Sequence, residues 1–233
     1  PRYACRAGMA SLGRAWGGPL GEIVHREAKV SRLAVLDGQW QVTLEDGRLI
    51  RSQSLLLTPP PAQSRALLAE AAPMAAQELD RHRSWPCHAV AACFSRTQLP
   101  WQGIQAPDDE LLTWIGHDTS KRPELHPDRT ILMLHAAPSF SIANADAPEG
   151  EIADALLRRA SEMTSLDWSS PQEIFLQRWR YALPASGATP SGPIAHTSPA
   201  TLILAGDWCH GGRIEGAWLA GSDAAERLLA MLR

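Results

Sequence analysis

The chain has 233 residues, 45% of them apolar and 20% charged, an ordinary globular composition that allows one large domain or two small ones around a substantial core. A formal net charge of −3, with basic residues scattered singly or in pairs, gives no polyanion-binding field, so nucleic acid is not an expected partner. There is no run of eighteen apolar residues and no secretory leader pattern, so neither a membrane role nor export is expected and a cytoplasmic protein is.

Cys5, Cys87, Cys93 and Cys209 form no Cys-x-x-Cys pair and no disulfide-like spacing, which predicts reduced thiols and no metal site. Cys87-His88 and Cys209-His210 are adjacent pairs whose side chains would point to opposite faces of a strand, a poor chelate. Residue 1 is Pro, and the first residues read as the middle of a domain; a fragment or a processed product is expected.

In chain order, Met9, Leu12 and Trp16 share one face of a short helix that Gly17, Gly18, Pro19 and Gly21 stop. Strands are predicted at Glu22–Arg26, Lys29–Leu36 and Gln39–Glu45, with Asp37-Gly38 and Asp46-Gly47 as hairpin turns of a β-meander. Leu55-Leu56-Leu57-Thr58 reads as a strand buried on both faces, and Pro59-Pro60-Pro61 ends it. Gln63–Leu79 reads as helix, split by Pro73. Trp85–Phe94, Leu111–Gly116, Thr130–Ala136 and Glu173–Tyr181 are strand-like and can form an antiparallel sheet, with an amphipathic helix at Glu149–Met163. Pro184–Pro199 reads as a loop.

The last thirty-four residues are the most informative stretch. Leu202-Ile203-Leu204-Ala205 is a buried strand that reaches Gly206-Asp207 and a turn with Gly211 and Gly212; from Gly216 onward Ala217, Leu219, Ala220, Ala224, Ala225, Leu228, Leu229 and Leu232 recur at helical spacing. Strand, carboxylate, glycine turn and helix in that order suit a nucleotide, because a helix start offers unpaired N–H groups and ligands bind beyond the carboxyl ends of strands. The same residues equally suit a plain tight connection in which Asp207 caps the helix.

Arg178-Trp179-Arg180-Tyr181 is the second such stretch. Alternation puts Trp179 and Tyr181 on one strand face, where they can sandwich a flat ring or simply pack in the core. Among the histidines, His117, His135 and His210 have positions of interest, yet each reads first as structural; Ser120-Lys121 reads first as a solvated surface pair. Gly-x-Ser-x-Gly, P-loop and His-Glu-x-x-His strings are absent from the sequence.

Gly206-Asp207, Gly212-Arg213-Ile214-Glu215-Gly216-Ala217, Gly221 and Ala224-Ala225 resemble the carboxyl-terminal flavin motif of the FAD-dependent amine oxidase superfamily. Gly206-Asp207-Trp208-Cys209, Gly216-Ala217-Trp218-Leu219, the Arg178–Ala182 stretch with Pro184, and Ser120-Lys121 resemble its bacterial renalase-like branch; Arg2-Tyr3 and Gly8-Met9 are consistent with it. The resemblance implies an α/β fold: an FAD/NAD(P)-binding Rossmann-like domain with an inserted α+β substrate domain on an antiparallel sheet. It places the FAD-binding part at 1–58 and 199–233 and the substrate domain at 59–198. It also implies FAD held by Val30, Gly206, Asp207, Gly212, Arg213, Glu215, Gly216 and Ala217, with Trp179 and Tyr181 as catalytic walls.

The implied reaction is hydride transfer from a small-molecule substrate, such as an isomeric dihydro-NAD(P), to the flavin, with molecular oxygen as acceptor. The family's Gly-x-Gly-x-x-Gly does not occur in these residues. The expected Rossmann-like domain is therefore incomplete, its N-terminal βαβ missing, and the alternative is a degenerate remnant serving as a non-catalytic binding or interaction module.

Overall fold

The computed structural model describes residues 4–185 and 191–232. The expectation for Arg2-Tyr3, and part of that for the Pro184–Pro199 loop, lie outside the described residues. Helices are α1 (Ala10–Gly17), α2 (Pro61–Leu68), α3 (Pro73–Glu78), α4 (Pro138–Ala143), α5 (Glu149–Thr164) and α6 (Arg213–Met231). Strands are β1 (Val30–Leu36), β2 (Gln39–Leu44), β3 (Leu49–Ser52), β4 (Ser54–Leu57), β5 (Ser84–Ser95), β6 (Gly103–Gln105), β7 (Leu112–His117), β8 (Arg129–Ala136), β9 (Glu173–Pro184), β10 (Ile194–His196) and β11 (Thr201–Leu204). Packing divides the chain into a first unit, Pro1–Val24 with Pro86–Arg180, and a second, His25–Trp85 with Tyr181–Arg233. These boundaries follow packing and differ from the expected cut at 58/59 and 198/199, which is one of function.

In the second unit β1, β2 and β3 make an antiparallel meander. Asp37 and Gly38 both take positive φ (51° and 72°), the geometry of the tight turn whose twist matches a hairpin, and Leu36 pairs with Gln39 across it. A second sheet runs β10-β11-β4: β11 lies parallel to β4, with Leu202 beside Leu55 and Leu204 beside Leu57, and antiparallel to β10. After Thr201, β11 is apolar, and Leu202, Ile203 and Leu204 are all buried. Leu33, Trp40, Leu57, Leu68, Leu79, Ala220 and Ala224 join them in one core. Trp40 ties the two sheets together, its indole Nε1 donating to the Thr201 carbonyl at 2.8 Å.

The first unit is built on a five-stranded sheet in the order β6-β7-β8-β5-β9. β8 alternates strictly, burying Thr130, Leu132, Leu134 and Ala136, and α5 covers that face with Ile152, Leu156, Leu157 and Ala160. Helix α5 ends at Ser165 in the left-handed conformation, and Trp168 beyond it packs edge-on to Phe94 at 4.8 Å while donating to Thr164 Oγ1.

One ion pair locks α5 to the start of β7. Arg159 Nε and Nη2 both donate to Asp109 Oδ2 (2.9 and 2.5 Å), while Asp109 Oδ1 accepts from the N–H groups of Leu111 and Leu112. The Asp109 carboxylate, 11% exposed, is held below the ordinary range chiefly by Arg159. A lowered native pKa contributes stability that is complete above the unfolded value, near 3.9, and disappears as the pH falls through the native one. Asp109→Asn is expected to cost about 1–2 kcal/mol at neutral pH, a figure reduced for solvent screening at the more exposed arginine, and to flatten the loss of stability in acid. Urea unfolding of wild type and variant from neutral pH down to pH 3 measures both; parallel pH curves would contradict the assignment.

Several elements differ from expectation. Glu22–Arg26 is not a strand: Gly18–Ile23 is 3-10 helix with Gly21 at φ 53°, and the chain is irregular from there to β1. Glycines and Pro19 leave that stretch no run long enough for a ladder. Helix α6 begins at Arg213, three residues before the expected start, since its first turn carries no regular apolar signal. Within the expected loop Pro184–Pro199 lies β10; β3 is the strand that the Asp46-Gly47 turn requires, while β6 and α4 have no counterpart in the sequence reading, and all are short pieces whose pairing or packing is tertiary. Among the described residues no helix is long and apolar enough to cross a membrane, and no group of three His, Cys, Asp or Glu is placed to hold a metal.

Candidate functional site

The second unit contains a cavity of about 490 Å³ at the carboxyl ends of β4 and β11. Parallel pairing brings the two strand ends level, and Ala205 N–H extends it by donating to the Leu57 carbonyl at 2.9 Å. The chain then leaves β4 through Thr58, Pro60 and Pro61 and leaves β11 through Gly206 and Asp207, so both exits form the cavity wall. Tyr181, Leu183 and Pro184 from β9 and Ile214 and Ala217 from α6 complete a mostly apolar lining.

Beyond β11 the residues Asp207–His210 form one 3-10 turn, closed by Gly212 N–H donating to the Asp207 carbonyl at 2.8 Å. Helix α6 packs directly on this turn. A Cβ on Gly216 would lie 3.1 Å from the His210 carbonyl oxygen, which is why the helix carries a glycine there. His210 Nε2 sits 2.8 Å from Asp223 Oδ2, a second tie between turn and helix.

Gly206 is extended (φ 169°), a conformation open to any residue, so its need for glycine lies elsewhere. A Cβ there would come within 2.5 Å of Trp208 Nε1. Trp208 is buried and packs on His82, ring centroids 4.3 Å apart; neither Trp208 Nε1 nor His82 Nδ1 has a hydrogen-bond partner among the described residues. Burial lowers the His82 pKa, with Arg81 adding to the effect, which favours the neutral ring.

Among the described residues Asp207 is the one carboxylate of the lining. Burial raises its pKa, against the pull of the backbone N–H groups of Trp208 and of Asp207 itself. A carboxylate short of solvent gains by accepting hydrogen bonds from a ligand's hydroxyls. Arg213 opens α6 at φ 69°, a strained conformation for a side-chain-bearing residue, and it too lines the cavity. The N-cap position, Gly212, supplies no side-chain cap, so the N–H groups of the first turn are open to an acceptor. Cys209 offers no nucleophile at neutral pH: burial pushes its thiol up to about 11.

Of the residues expected to hold a cofactor, Gly206, Asp207, Arg213 and Ala217 line the cavity together with Tyr181. Gly212, Glu215 and Gly216 shape the start of α6 behind it, and Val30 begins β1, packed against the unit's core. Trp179, 56% exposed, belongs to the first unit. Sequence reasoning gave Trp208 and Pro184 no role beyond membership of the motif strings, and it did not single out His82. Trp208 adjoins Asp207, but only the fold turns its ring under Gly206, and His82 comes from a short 3-10 connection without periodicity.

These residues fit part of a flavin nucleotide. A half-buried carboxylate at a strand end suits ribityl hydroxyls, the uncapped helix start suits a polarised ring oxygen, and the apolar wall suits a flat ring.

The sequence profile of the flavin containing amine oxidoreductases matches residues 2–229. Among solved structures, the fold is similar to a protein assigned as protoporphyrinogen oxidase from Exiguobacterium sp. 255-15, at a TM-score of 0.75 and 17% identity over 99% of this chain and 52% of that one. It is similar to wild-type putrescine oxidase bound to putrescine (TM-score 0.71, 14% identity, 96% and 53%) and to cyclohexylamine oxidase from Brevibacterium oxydans IH-35A (0.71, 15%, 97% and 53%). The chain spans about half the length of these structures, and at such identities the likeness is one of fold.

Proposed function

We propose that this chain, which belongs to the family of flavin containing amine oxidoreductases, is part of an FAD-dependent oxidase of the renalase-like kind, acting on a small reduced substrate such as an isomeric dihydro-NAD(P). FAD is the family's cofactor; when bound it accepts a hydride equivalent and passes electrons to molecular oxygen. The observation that carries the reading is the convergence of Asp207, the open start of α6 and an apolar wall with Tyr181 on one cavity.

In this reading the cofactor is held by 1–58 and 199–233, and the substrate domain is 59–198. Asp207 accepts from ribityl hydroxyls, and the first-turn N–H groups of α6 donate to the ring. Gly206, Gly212, Gly216 and Glu215 fix the turn that aims them, with Arg213 and Ala217 forming the near wall and Val30 on the adenosine side. Tyr181 and Trp179 flank the substrate's flat ring and exclude water from it. The motif strings Gly206-Asp207-Trp208-Cys209 and Gly216-Ala217-Trp218-Leu219 favour the renalase-like branch, and a cytoplasmic setting goes with it.

The test uses the intact protein. It should purify yellow, with the absorbance of oxidised flavin, and form peroxide from dihydronicotinamide isomers in preference to amines. Asp207→Ala should weaken FAD retention by about tenfold or more, the worth of one charge-assisted hydrogen bond. Colourless protein that takes up no FAD would sink the cofactor reading; turnover of amines alone would sink the renalase-like one.

A further inference from the structure

The first unit has a cavity of its own, about 390 Å³, where the end of β5, the end of β7 and the start of β8 meet. Its size lies at the lower end of small-molecule sites. Arg96, His117, His126 and Arg129 line it with the hydroxyl residues Thr97 and Ser120, and among the described residues no lining residue carries a carboxylate.

The cation in this cleft is positioned in advance. Arg96 N–H donates to the Asp128 carbonyl (3.1 Å) and its Nη1 to the Pro127 carbonyl (2.9 Å), pinning the loop after β5 to the loop before β8. Thr97 N–H donates to Thr130 Oγ1 at 2.8 Å, fixing the same corner from the other side. Arg96 forms no ion pair among the described residues, whereas the neighbouring cations Lys121 and Arg122 are both taken by Asp118. Arg129 keeps Glu173 on one nitrogen, at 2.7 Å. The His117 ring is half-buried and edge-on to Trp101. The Arg96 guanidinium is tied to the Pro127 carbonyl while the Arg96 main chain is tied to Asp128, so the remaining guanidinium N–H groups are partly oriented and less entropy is lost when an anion takes them.

We propose that this cleft binds the phosphate group of a small phosphorylated molecule, with Arg96 as principal donor and His126 and Arg129 completing the contact. An oxyanion supplies the counter-charge that Arg96 lacks, and guanidinium, imidazole and hydroxyl donors together suit its several oxygens. The cavity is larger than a phosphate alone, so the rest of the ligand lies along Thr97, His117 and Ser120.

The probe is inorganic phosphate, titrated into the intact, FAD-saturated protein at constant ionic strength against chloride, and followed by phosphorus NMR line broadening and calorimetry. FAD saturation keeps the test separate from any pyrophosphate-binding position of the cofactor. Saturable binding is expected. Arg96→Ala should weaken it by about tenfold or more and His126→Gln by several-fold, while Arg32→Ala, which removes only a surface pair with Glu70, leaves it unchanged. His126 is exposed, so its variant reports binding even if the Arg96 variant folds poorly. Absence of saturable binding, or binding that survives both Arg96→Ala and His126→Gln, overturns the assignment. FAD affinity should be the same with and without phosphate; competition between the two would place the anion at the cofactor and also overturn it.

Discussion

Trp40→Ala is expected to destabilise the second unit by about 3–5 kcal/mol, the usual cost of emptying a large core site. Trp40 is fully buried at the centre of the meander, opposite Val35 on β1 and Ser52 on β3. Its ring fills the space between the meander and the β10-β11-β4 sheet, and its Nε1 holds the carbonyl of Thr201, the first residue of β11. Loss of the ring removes apolar contact and leaves that carbonyl without its indole donor. Trp40→Phe separates the two contributions: most of the volume stays, only the donor goes, and the cost should fall to about 1–2 kcal/mol. Denaturant midpoints at unchanged slope measure both. Equal losses for the two variants would show that volume is not the main contribution. Because β11 carries Asp207 into the cavity, flavin content should fall with Trp40→Ala more than with Trp40→Phe.

Gly206→Ala is expected to cost about 2–3 kcal/mol, although the substitution adds one methyl group and the backbone tolerates any residue. The new carbon would meet Trp208 Nε1 at 2.5 Å and Cδ1 at 2.7 Å, and Trp208 is buried against His82, so its ring has little room to retreat. The cost should be coupled to the ring. In Gly206→Ala/Trp208→Leu, the loss should be smaller than the sum of the single losses by about 1–2 kcal/mol, read from thermal or urea unfolding in a double-mutant cycle. Additive losses would mean that the glycine is required by something other than the indole. The result bears on function, since a glycine beside Asp207 is easily taken for a place where a ligand approaches the backbone, whereas here the close approach is made by the protein's own tryptophan.

Much of this site was legible because its signals are local. Leu202-Ile203-Leu204 beside turn residues reads as a strand buried on both faces, Asp37-Gly38 is a strong hairpin signal, and the three-and-four spacing after Gly216 sets one face of α6 inward. Asp207 then falls at a strand end by counting alone. The strand expected at Glu22–Arg26 failed because Ile23 and Val24 look extended in isolation; both remain exposed, and among the described residues no strand pairs with them. β10 was hidden for the converse reason, three residues that become a strand only by pairing with β11.

What the sequence by itself determined is therefore the order strand, carboxylate, turn and helix, because hydrophobic period and turn chemistry are carried by neighbours in the chain; the family rests on the motif strings and on the profile match over residues 2–229. Only the tertiary structure decided which of those residues face the cavity and which glycines serve packing. Gly206 lies against Trp208 and Gly216 against the His210 carbonyl through contacts that exist only once β11, the 3-10 turn and α6 are folded on one another. The cleft around Arg96 is of the same kind: its arginines and histidines lie scattered from 96 to 129 in the chain, and the pairing of β5 and β7 with β8 brings them to one place.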